Sequence, residues 1–93
     1  MADLKRIKAR IKALAQGSRT NVTIEEIEWV VFHLKQNGYK TKVRPAGDHQ
    51  KPFTVEEQMF GVCTHRRGST HLKRFYVDAF INAMIELGLY EED

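Results

Sequence analysis

Cysteine is nearly absent. Cys63 is the one thiol in 93 residues, so the chain has no internal disulfide and no cysteine-rich zinc site, and a cytoplasmic protein is expected. Long apolar runs are missing too. The longest, Val77 to Ile85, is interrupted by Asp78 and Asn82, so no segment is expected to span a membrane. The opening Met1-Ala2-Asp3-Leu4-Lys5-Arg6 turns basic at once and lacks the apolar stretch of a secretory signal. No glycine-rich phosphate loop of the GxxxxGK[ST] or GxGxxG kind occurs, and no GxSxG elbow. The four histidines, His33, His49, His65 and His71, show no metal-ligand spacing. Neither a metal nor a cofactor is expected. Repeats and low-complexity segments are lacking as well.

What is present is an ordinary globular composition, 42% hydrophobic and 29% charged, in a length that holds one domain, residues 1–93. The net charge of +3 conceals a partition along the chain. Residues 1–19 carry a local +5, residues 20–37 a −2, residues 38–74 another +5, and residues 75–93 a −5 with no base at all. Two basic segments of this kind suit a phosphate-binding surface, or simply a solvated one.

Leu4, Ile7, Ile11 and Leu14 recur at helical spacing before Gly17, which predicts a basic amphipathic helix over about residues 3–16. Thr23 with Glu26 three residues on reads as a capping box. A second helix is expected from 24 to 37, with Ile24, Ile27, Val30, Val31 and Leu34 inward and Asn37-Gly38 as its stop. Trp29 and Phe32 fall on its flank, either to hold the first helix or to face a partner.

Tyr39, Thr41 and Val43 alternate with Lys40, Lys42 and Arg44, a period-two pattern that puts three cations on one strand face. Phe53-Thr54-Val55 is a short second strand, which Pro52 marks as an edge or a strand start. Met59 to His65 is the third, with Phe60 and Val62 on one face and Met59 on the other. Leu72 to Leu87, closed by Gly88, makes a last helix apolar over most of its circumference, with Phe75, Ala79 and Met84 among its inward positions. The expected fold is α+β: an N-terminal helix (within residues 1–17), then α-β-β-β-α over residues 24–90. Its three-stranded antiparallel sheet carries helices on one face.

The cations Lys40, Lys42, Arg44, Arg66, Arg67 and Lys73, with His65 at a strand end, form the candidate nucleic-acid-binding set. His49 stands in a turn after Gly47-Asp48, beside the basic strand. An imidazole there can take a proton from a 2′-hydroxyl or give one to a leaving oxygen at neutral pH.

The order of these features, a helix ending Asn37-Gly38-Tyr39, a basic strand, Gly47-Asp48-His49, a strand closing Val62-Cys63-Thr64-His65, a Gly-Ser loop, Leu72-Lys73 and a helix closing Leu87-Gly88-Leu89, resembles the HicA toxin family over residues 24–90. The resemblance implies a double-stranded-RNA-binding-domain-like fold and an mRNA interferase, a metal-independent endoribonuclease held in check by an antitoxin protein. It implies His49 as the catalytic histidine and His65 as the strand-end histidine. Asp48 stands where the family has serine, Cys63 where proline is common, and the first helix is an addition. Two other readings fit the residues: a non-catalytic nucleic-acid-binding module, and a protein-interaction or structural domain, dimeric through the apolar last helix.

Overall fold

The first helix, α1 (Leu4–Gln16), starts where Asp3 accepts a hydrogen bond on Oδ1 from the Arg6 backbone N–H at 2.9 Å. That is a side-chain cap on an otherwise orphaned donor. Its apolar stripe, Ile7, Ile11, Leu14 and Ala15, is buried, while Lys5, Arg6, Lys8, Arg10 and Lys12 are exposed. The computed structural model describes residues 3–17, 21–43, 50–63 and 71–91.

The second helix, α2 (Ile24–Gln36), buries Ile27, Val30, Val31 and Leu34 as its spacing predicts, with Ile24 half-buried. The capping box does not form. Thr23 makes no side-chain cap bond, and its hydroxyl instead donates to Glu26 Oε1 at 3.4 Å. Thr23 is bridged to His71, and the Leu72 N–H donates to the Val22 carbonyl at 2.9 Å. At the other end Gly38 takes φ +93°, so its N–H reaches the Lys35 carbonyl and the Tyr39 N–H that of Leu34, each near 3 Å.

The sheet is an antiparallel meander, β1 (Thr41–Val43), β2 (Gln50–Val55) and β3 (Gln58–Cys63), in the order β1-β2-β3. Two ladders fix its register: Lys42 opposite Thr54, and Thr54 opposite Met59. Alternation then sorts the faces. Phe53, Val55, Phe60 and Val62 turn inward and are buried. Phe53 stacks on Phe60 at 5.6 Å, and Phe60 meets Phe80 edge-on at 5.4 Å. Pro52 corrects one expectation. It lies inside the central strand, not at an edge or a start, and its described partner is Gly61 of β3.

The last helix, α3 (Arg74–Glu86), packs chiefly on β3 and is closed by Gly88 at φ +75° in the same bonded motif as α2. Its buried residues are Val77, Phe80, Ile81, Ala83 and Met84. Phe75 departs from expectation. It is 74% exposed, because it sits in the first turn, on the far side of the helix from Val77 and Phe80. The helix α1 packs on α2 and α3, so all three helices gather on one side of the sheet. No helix among the described residues is long and apolar enough to cross a membrane.

Candidate nucleic-acid interface

The side of the sheet turned away from the helices carries Lys42, Pro52, Thr54 and Met59, which line a shallow depression of about 410 Å³. Lys42 is exposed and Met59 is 77% exposed. Register alone brings these groups together, since Lys42 faces Thr54 and Thr54 faces Met59 across two adjacent ladders. The result is an ammonium, a hydroxyl and a bare thioether within one pleated surface.

Lys40 is exposed just before β1, and its carbonyl accepts the Glu56 N–H at 2.7 Å, which ties β1 to the β2–β3 turn. Lys40 and Lys42 therefore belong to one stretch of extended chain. Lys73 is exposed elsewhere in the fold, at the N-cap of α3 and two residues after the His71–Thr23 bridge. Arg44, His49, His65, Arg66 and Arg67 lie outside the described residues, as does Asp48.

The strands nevertheless define where those segments begin. Gln50 pairs with Cys63, and Val43, Gln50 and Cys63 are all at the same end of the sheet. The chain leaves that end at Val43, returns at Gln50 next to His49, and leaves again at Cys63, two residues before His65.

No family model, curated protein or solved structure matches this chain. The site is accordingly read from its own residues. Among the described residues, Thr54, Met59 and Pro52 line the depression with Lys42, although only the lysine stood out in the sequence. The period-two pattern put Met59 on the face opposite Phe60 and Val62, but which residues of three strands share a patch depends on register, and the Glu56-Glu57 turn that sets it carries no glycine or asparagine signal.

A second concavity lies on the helical side. Between α2 and the edge strand β1, Val31, Phe32, Thr41, Val43 and Phe53 line a groove of about 540 Å³, with Glu28 and Lys35 at its margin. Val43 faces it and stays 45% exposed, because α2 only skirts β1. Among the described residues, His33 is half-buried and packs beside Trp29 and Phe32, while His71 is exposed.

Proposed function

We propose that this chain is an RNA-binding protein of the HicA-like kind, an mRNA interferase in which His49 moves the proton and the basic sheet face holds the phosphates. The observation that carries this reading is an outward sheet face bearing Lys42, bounded at one end by the paired residues Gln50 and Cys63. From that end the sequence continues into His49 on one side and into His65, Arg66 and Arg67 on the other.

The chemistry follows from the groups. His49 takes the proton of a ribose 2′-hydroxyl as the 2′-oxygen attacks the adjoining phosphorus. The bond from phosphorus to the 5′-oxygen breaks, and water protonates that oxygen. The ends are a 2′,3′-cyclic phosphate and a 5′-hydroxyl, with no metal in the step. Cations beside the phosphate stabilise the charge that builds on its oxygens. An acidic antitoxin protein laid over the same face is the expected inhibitor.

The test is RNA degradation by the purified protein in EDTA. His49→Ala should lower cleavage by about 10²–10⁴-fold while RNA binding and thermal midpoint hold. Asp48→Ser, which removes the carboxylate next in sequence to His49, should raise cleavage. Cleavage that survives His49→Ala, or that requires added metal, overturns the mechanism. Binding without cleavage in all three proteins leaves a non-catalytic RNA-binding module on the same face.

A further inference from the structure

The sheet face leaves two features unused, and they adjoin each other. The first is the exposed surface of α1, where helical spacing puts Lys5, Lys8 and Lys12 on one flank and Arg6 and Arg10 on the other, the flank that meets α2 at Trp29, with no acid anywhere in Leu4–Gln16. Arg6 to Arg10 covers about 6 Å of helix axis, enough for neighbouring phosphates of one strand. The second is a row of rings on α2. The Arg10 guanidinium lies 4.9 Å from the centroid of Trp29. Trp29 meets His33 at 4.3 Å, and His33 meets Phe32 edge-on at 5.1 Å. Phe32 is 56% exposed. The row thus runs from the cationic helix to an open aromatic face.

We propose that Arg6 and Arg10 of α1 and the ring row Trp29–His33–Phe32 form a second surface that binds single-stranded RNA, phosphates on the two arginines and an unstacked base on Phe32. Cations that track a backbone beside an aromatic stacking face are the two elements such recognition requires. An anionic membrane is the poorer occupant. Ile7 and Ile11 are fully buried in the protein core, so α1 has no apolar stripe left to insert. Glu25 and Glu28 stand one turn before Trp29 and Phe32 and bound the surface on that side, which directs the phosphates along α1. The inference shares its ligand with the function proposed above but places it on the helical side.

Trp29 is the only tryptophan, so its fluorescence reports this surface alone. Full-length protein is titrated with a short oligouridylate. Binding should quench Trp29. Phe32→Ala should weaken it by about 5- to 100-fold, the range of one lost base stack, and Phe32→Tyr should restore it. Arg6 and Arg10 changed together to Gln should flatten the salt dependence by about 1.4 units of slope. Binding that leaves Trp29 unquenched, or an unchanged affinity in Phe32→Ala, overturns the second surface. If binding is lost in Lys40→Gln/Lys42→Gln/Arg44→Gln and kept in Phe32→Ala, the sheet-face reading stands and this one fails. The opposite pattern keeps this surface and removes the other. Vesicles containing phosphatidylserine that shift Trp29 emission while the oligonucleotide does not also overturn it.

Discussion

Glu56 carries the clearest local strain in the described chain. It is the non-glycine residue with a left-handed backbone, φ +54°, in the two-residue turn that joins β2 to β3. A side chain there costs about 1–2 kcal/mol relative to glycine, partly offset by the greater freedom of glycine in the unfolded chain, about 0.5–1 kcal/mol. The turn is retained because the Glu56 N–H is fixed to the Lys40 carbonyl at 2.7 Å, a bond that substitution of the side chain leaves intact. Glu56→Gly should therefore stabilise the protein by about 0.5–1 kcal/mol and raise the thermal midpoint by a few degrees. Thermal unfolding followed by circular dichroism checks it, and an unchanged or lowered midpoint excludes strain at this turn. Residues whose role is local were legible in advance. Gly38 and Gly88 end helices with positive φ, as their places after apolar periodic segments foretold. Thr23 was not legible, because its partner His71 is 48 positions away and no spacing pattern announces a bridge of that span.

At the scale of elements, the first helix is the surprise. Nothing in the family resemblance calls for it, yet Ile7 and Ile11 are fully buried in the same core as Ile27, Leu34 and Met84. An appended helix with its own solvated surface would leave those side chains exposed. Ile11→Ala should cost about 2–5 kcal/mol, a large part of the stability of a domain this small. Denaturant unfolding should show one transition at a lower midpoint. Loss of a separate early transition, with the main one unmoved, would mean that α1 folds apart from the rest. Helix bounds were readable because amphipathic spacing persists over three to four turns, and α1 and α2 fall within a residue or so of expectation. Strand β2 was not. Only Phe53-Thr54-Val55 looks like a strand, whereas Gln50, Lys51 and Pro52 join it by pairing with Cys63, Val62 and Gly61. That extension is owed to β3, not to local propensity. For α3, composition promised burial nearly all round, but β3 covers one side only and Phe75 is left outside it.

The whole molecule separates its charges by layer. The outward sheet face presents Lys42, with Lys40 beside it, and α1 presents its five cations on the helical side. Among the described acids of the last segment, Asp78 pairs with Arg74 at 3.9 Å and Glu86 and Glu91 are exposed. A surface ion pair of that kind contributes at most about 1 kcal/mol, so this arrangement matters for partners more than for stability. The exposed Glu56 and Glu57 of the β2–β3 turn stand at the Lys40 end of that face, and a polyanion held on Lys40 and Lys42 would release condensed counterions on contact. The measurable consequence is the salt dependence of affinity, about 0.7 units of logarithmic slope per phosphate neutralised on a single strand. Lys40→Gln, Lys42→Gln and Arg44→Gln in one protein should lower RNA affinity and reduce that slope by about two units. The thermal midpoint should hold, since Lys40 and Lys42 are exposed and bury no apolar stem in the core. Affinity measured by fluorescence anisotropy across a series of salt concentrations decides it. A parallel loss of affinity at every salt concentration would mean that the three side chains shape the face without touching phosphate. An unchanged affinity and slope would remove the sheet face from nucleic-acid binding and leave its cations as solvating groups.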